Sequence, residues 1–296
     1  MISGYVIYMS VDRELGVRDF AASRFARLFP AYWLVVVGAW CLYRVFPVPG
    51  REVYGMQLIN MTMLQSYFGV GHVSGVFWAL HVELFFYGLV ALCILFKCKR
   101  YLMWVIFLVV VWNFTDLMFR EMRILFWREW YQVSFGLIAI FPTRYLCLFL
   151  LGMMLYRFKE GYRGYMGPLF VLILGNVYFY LDYLYPPVEQ VIVIFLFTIL
   201  FILAMRNRLK FLESKMILFL GKISYSLYLI HSPIGYVILH YGLKQGLDAT
   251  FLVLTATLLS IVLGAVICQY AEKPMNRLIR GWYDRYKQGQ IAKKRV

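Results

Sequence analysis

The sequence predicts an all-α fold: a polytopic transmembrane helix bundle of about eight full spans following an N-terminal partial helix. Three observations predict it. Of 296 residues, 62% are hydrophobic and only 15% charged, where a soluble domain approaches half apolar and a quarter charged. The apolar residues gather in runs of roughly 17 to 25, the length that an α-helix rising about 1.5 Å per residue needs to cross about 30 Å of hydrocarbon. Lys and Arg outnumber Asp and Glu by 30 to 15, and most of them fall in alternate connecting loops.

The opening run, 2–9, is too short to span and reads as the end of a helix. Full spans follow at 28–46, 75–96, 101–119, 142–157, 165–184, 189–205, 216–241 and 249–271. With residues 12–27 placed inside, the loops at 97–100, 157–163 and 206–215 and the tail from 273 are inside too. These segments together hold 22 of the 30 basic residues, so positive-inside asymmetry favours this parity over its inverse. Two stretches fit less simply. Residues 55–68 are apolar but interrupted by Asn60, Thr62, Gln65 and Ser66, and counting them as a crossing would invert every later loop, so they read as re-entrant or interfacial. Residues 120–141 mix Arg and Glu with Trp127, Trp130 and Tyr131, which suits an amphipathic element at headgroup level on the outer surface.

The domain organisation read from these runs is a single transmembrane domain over 1–272 and a basic cytoplasmic tail over 273–296, resting on anionic lipid. A basic balance in such a chain is explained by loops facing the bilayer surface, so the lipid bilayer is the expected partner and nucleic acid is not. Five cysteines (Cys41, Cys93, Cys98, Cys147 and Cys268) form no C-x-x-C pair and have no His at ligand spacing, so neither a disulfide framework nor a metal site is expected. Met1 opens inside an apolar stretch without the basic segment that precedes a signal-peptide core.

The informative residues are polar groups that hydrocarbon penalises, because an ionisable side chain near a helix centre costs upward of about 2.5 kcal/mol unless it meets a partner or water. Glu83 lies a third of the way along a span in W-A-L-H-V-E-L-F-F-Y, with Tyr87 one turn later on the same face. Such a pair is either a charge partner in a polar cavity or a packing hydrogen bond. His81 points to another face. Ser224, Tyr228 and His231 fall at i, i+4 and i+7 and make one polar stripe ahead of Pro233, which tends to kink the helix and free carbonyls. A neutral imidazole there can move a proton at physiological pH, although a helix–helix hydrogen-bond seam would look the same. Arg24 and Arg27 share a helical face at the inner mouth of the first full span, where guanidinium forks suit phosphate and where topology alone also supplies arginines.

Taken together these motifs resemble the acyltransferase 3 family of integral membrane acyltransferases. The family's R-x-x-R with a following Pro is matched by Arg24, Arg27 and Pro30, its W-x-L-x-x-E-x-x-F-Y helix by Trp78, Leu80, Glu83, Phe86 and Tyr87, and its late S-Y-x-L-Y-L-x-H helix by Ser224 through His231. Ile2-Ser3-Gly4-Tyr5 and Glu272-Lys273-Pro274 resemble two further family stretches. The resemblance implies transfer of an acyl group, usually acetyl, from cytoplasmic acyl-coenzyme A to a hydroxyl of a cell-surface glycan or lipid-linked saccharide, in a bacterial inner membrane and without a metal. It implies that Arg24 and Arg27, with Lys222 as a further cation, hold the donor, that Glu83 and Tyr87 line the acyl path, and that Ser224, Tyr228 and His231 border the cavity. Trp78, Trp127 and Trp130 are the aromatic candidates for stacking on a saccharide acceptor.

Family members normally carry an Arg and, about ten residues on, the catalytic His in a first helix that precedes Met1 here. The expectation is therefore a later-assigned start, an inactive truncated homologue, or His231 acting in that role. No Ser sits in a G-x-S-x-G context, so direct transfer is expected over a covalent serine intermediate. A transporter or glycan flippase is the other class; inverted repeats, its usual mark, are not evident.

Overall fold

A computed structural model describes residues 1–12, 16–50, 58–121, 145–162, 164, 166–180 and 187–293. Among these every regular element is helical: α1 (Ile2–Asp12), α2 (Val17–Val45), α3 (Trp78–Leu95), α4 (Leu102–Glu121), α5 (Leu146–Lys159), α6 (Met166–Tyr180), α7 (Pro187–Met205), α8 (Lys215–Lys244), α9 (Ala249–Ile267) and α10 (Lys273–Lys293). Among the described residues five segments are long and apolar enough to cross a bilayer: Val17–Val45, Gly75–Leu95, Val188–Met205, Lys215–Lys244 and Ala249–Gln290. The other three expected spans coincide with α4, α5 and α6; α5 and α6 are 14 and 15 residues long. The described part of 55–68 forms short 3₁₀ turns at Leu58–Thr62 and Gln65–Phe68 rather than an α-helix.

Several helices end in one device. After α3, the N–H of Cys98 reaches the Cys93 carbonyl (2.9 Å) and that of Lys97 the Ile94 carbonyl (3.1 Å), which satisfies carbonyls that the helix leaves bare and requires a left-handed residue between. Gly161 after α5 and Gly246 after α8 fill that position at no steric cost; Lys97 (φ 55°) and Asn207 (φ 55°) fill it after α3 and α7.

The chain forms two compact units, one of 1–17 and 82–213, the other of 18–81 and 214–296. In the first, α1 lies against α5 with backbones nearly touching: a Cβ on Gly4 would overlap the Phe149 carbonyl, and one on Gly152 the Met1 carbonyl. Small residues permit this close approach, from which membrane helices draw van der Waals contact. Rings fill the seam alongside, Tyr5 and Tyr8 meeting Tyr156 edge-on at centroid distances of 5.5 and 5.6 Å. By contrast α7 leaves only 6% of its apolar window buried, as befits a face solvated by lipid.

In the second unit α8 and α9 form a long antiparallel pair, with Gly264 of α9 against the Leu227 backbone. Asp248 caps α9 by accepting from the Phe251 N–H at 2.9 Å. Between α9 and α10 the helix widens into a π-turn, Cys268–Glu272. Pro274 accounts for it: lacking an N–H, it leaves the carbonyl four residues back without its usual partner and its ring crowds that carbonyl, so the winding loosens there. The basic helix α10 continues beyond, packed on the start of α2 by Asp19, which accepts from Lys287 Nζ (2.7 Å) and the Tyr283 hydroxyl (3.1 Å).

Candidate functional site

In the first unit, α3 brings Glu83 and Tyr87 together because four residues make about one helical turn. The Tyr87 hydroxyl donates to Glu83 Oε1 at 2.6 Å, with Tyr87 buried and Glu83 half-buried. The bond fixes the carboxyl group against the ring of the next turn.

In the second unit the site is built on α2 and α8. Arg24 is half-buried with its guanidinium 5.3 Å from the Phe20 ring centroid, while Arg27 is exposed. Three residues later Pro30 interrupts the α2 ladder. Beside it Tyr225 of α8 donates its hydroxyl to the Leu28 carbonyl at 2.7 Å. Lys222, near the start of α8, is exposed, and its carbonyl accepts from the Cys268 thiol.

The stripe on α8 divides according to partner. Tyr228 donates to the Val76 carbonyl and so joins the turn that leads into α3. Ser224 is exposed and donates back to Gly221 of its own helix at 2.9 Å. His231 is exposed, and its Nδ1 lies 2.7 Å from the Tyr228 carbonyl and 3.3 Å from that of Leu227. Carbonyls only accept, so in the neutral ring Nδ1 carries the proton and Nε2 is the acceptor. The helix runs through Pro233 without a break.

Polar residues outside the predicted site do as much structural work. Ser226, fully buried on α8, donates to Glu272 Oε2 at 2.6 Å, placing the carboxylate of the E-K-P stretch inside the π-turn. Asn60, also fully buried, stitches the 58–73 segment together by donating to the Gly71 carbonyl (3.1 Å) and accepting the Val73 N–H (3.2 Å). Tyr32 and Trp33 of α2 then hold that segment by donating to the Asn60 and Met61 carbonyls at 2.7 and 2.8 Å. Ser74 donates to Ser232 at 3.1 Å.

His72 stands between Gln65 Nε2 (2.6 Å to Nδ1) and Ser66 Oγ (3.1 Å to Nε2). An amide nitrogen donates, so Nδ1 accepts and the ring proton sits on Nε2 toward Ser66. Burial, and then the nearby His81 imidazole, hold His72 below the usual histidine range. His81 packs on the Tyr67 ring at 4.5 Å and meets the Met63 carbonyl at 3.3 Å. Polar residues breaking an apolar stretch were the available signal for this cluster; their mutual pairing was not.

Trp78 is exposed on the first turn of α3, whereas Trp127 and Trp130 lie outside the described residues. Among the described residues no group of three or more His, Cys, Asp or Glu is placed to hold a metal ion.

Comparison with known proteins adds one finding. A family model described as an acyltransferase domain, that of the acyltransferase 3 family, matches residues 1–270. No curated protein and no solved structure matches the chain.

Proposed function

Since the chain belongs to the acyltransferase 3 family and is a membrane acyltransferase, we propose that it moves an acetyl or other acyl group from cytoplasmic acyl-coenzyme A to a hydroxyl of a cell-surface glycan or lipid-linked saccharide. The family match over residues 1–270 carries this reading. The proposed topology is eight crossings in a bacterial inner membrane with the C-terminus cytoplasmic; the basic excess in alternate loops supports it.

In the proposed reaction the acceptor oxygen attacks the thioester carbonyl, the C–O bond forms as the C–S bond breaks, and coenzyme A leaves as a thiolate that takes up a proton. Arg24 and Arg27, with Lys222, pair with the donor's phosphates. A base must take the acceptor's proton. Of the two described histidines with assigned tautomers, His231 suits the task, because its Nε2 is an acceptor, whereas both nitrogens of His72 are engaged. Glu83, steadied by Tyr87, neutralises positive charge in the acyl path, and the Tyr228 and Ser224 hydroxyls are the proposed donors to the developing oxyanion. Trp78, Trp127 and Trp130 are the proposed acceptor contacts.

Membranes carrying the chain, incubated with acetyl-labelled acetyl-coenzyme A, should yield labelled saccharide. Glu83→Gln, Arg24→Ala and His231→Gln should each lower the yield by about 100-fold or more while membrane insertion is kept. Wild-type labelling by any of the three removes that residue from the scheme. Movement of unlabelled saccharide across the bilayer with no label incorporated would make the chain a carrier.

A further inference from the structure

The first unit contains a cavity of about 830 Å³ that the proposed chemistry does not use. This is within the range of small-molecule sites, roughly 300 to 1,000 Å³. Lys97, Lys99, Arg100 and Arg157 line it, and no acidic side chain is among its described lining residues. Four cations around one half-open cavity repel one another unless an anion joins them. The remaining wall is apolar and aromatic and includes Trp104, Phe107, Leu169 and Leu172.

Local structure sharpens the chemistry. Lys97 occupies the left-handed position of the turn ending α3, which costs a non-glycine residue about 1 kcal/mol or more and which glycine would fill freely. A lysine there keeps a charge at the cavity at the expense of backbone ease. Lys99 and Arg100 form the turn from which α4 starts, and Leu169 stands in the first turns of α6. The first turns of both helices thus border the cavity, where the positive ends of their dipoles add to the side-chain charge. Arg157, half-buried near the end of α5, lies with its guanidinium 4.8 Å from the Tyr162 ring centroid. That stacking fixes the plane of a group able to grip a phosphate with two parallel N–H bonds.

We propose that this cavity binds a phosphate-bearing amphiphile, its phosphate on Lys97, Arg100 and Arg157 and its apolar or aromatic part against Trp104 and Phe107. The inference is independent of the catalytic scheme above. The same chemistry is offered by a soluble nucleotide bisphosphate and by an anionic phospholipid.

The test uses the full chain purified in detergent, with adenosine 3′,5′-bisphosphate and short-chain phosphatidylglycerol as separate probes and phosphatidylcholine as the uncharged-headgroup control. Binding is read by thermal shift for both and by native mass spectrometry for the lipid. One of the two anionic probes should bind. Lys97→Gly/Arg100→Gln should weaken it by about tenfold, and because glycine relaxes the turn the variant should fold. Arg206→Gln/Arg208→Gln, which removes two exposed charges from another turn of the same unit, should leave binding within about twofold. Trp104→Ala provides a second variant that keeps every charge and should also weaken the probe. Preference for the nucleotide or for the lipid identifies the source. Failure of both probes, equal binding of phosphatidylcholine, or equal loss in the two charge variants would overturn the proposal.

Discussion

Both units pack a glycine against backbone, Gly152 of α5 on Met1 and Gly264 of α9 on Leu227, but they differ in what else holds them. In residues 1–17 and 82–213 the α1–α5 contact works by subtraction: Gly4 and Gly152 remove side chains so that backbones approach, and tyrosine rings close the remaining gap. In residues 18–81 and 214–296 hydrogen bonds are added, Tyr32, Trp33, Tyr225 and Tyr228 each extending a donor to a carbonyl of a distant segment. The difference teaches that bilayer helices lacking a hydrophobic drive toward each other have two solutions, dispersion at short range and hydrogen bonds at long range. The first tolerates no added volume. The second spreads its risk over many bonds.

The comparison is broken most severely by filling the glycine seam. Gly152→Leu should cost more than about 3 kcal/mol, since overpacking already costs about 1 to 3 kcal/mol where a core can relax and here the obstacle is backbone; recovery of monodisperse protein from detergent should fall steeply. Next comes the Ser226–Glu272 bond. Ser226→Ala removes the fully buried donor to a half-buried carboxylate, for an expected loss of about 1 to 2 kcal/mol in a denaturation assay, and Glu272→Gln in the same background should recover part of it by removing the charge. Tyr32→Phe should cost about 1 kcal/mol, near the upper values for single bonds between membrane helices, and Tyr225→Phe should add to it almost independently. An equal loss from Gly152→Leu and Tyr32→Phe would erase the distinction between the units.

The smallest expected effect depends on pH. His72 titrates below 6.5 in the folded protein, so the unfolded chain binds its proton first. The stability contributed by the neutral ring is complete above 6.5 and is lost as pH falls through that value toward the lowered one. Hydrogen exchange of 58–73 should therefore quicken on acidification over that window, and His72→Gln should flatten the dependence. Unchanged exchange would separate the segment's stability from the His72 contacts.

Much of this was legible before any coordinates. The spans expected at 28–46, 75–96, 189–205, 216–241 and 249–271 fall on α2, α3, α7, α8 and α9 because the oil sets both the length and the apolarity of whatever crosses it. Glu83 and Tyr87 were paired on paper by helical spacing and are bonded in space. On α8 spacing gathered Ser224, Tyr228 and His231 into one stripe; among the described residues Tyr228 reaches another segment, and so does the fully buried Ser226, which spacing did not single out.

The sequence by itself determined that the chain is helical, that it belongs in a membrane, and which polar residues sit where hydrocarbon penalises them, since these follow from local periodicity and transfer free energy. The tertiary structure decided which of those residues find partners. Asn60 bonds Gly71 and Ser226 bonds Glu272 across 11 and 46 residues, and Lys97 and Arg157, 60 residues apart, line one cavity. Periodicity has no memory over such separations, so only the folded backbone brings these groups to one place.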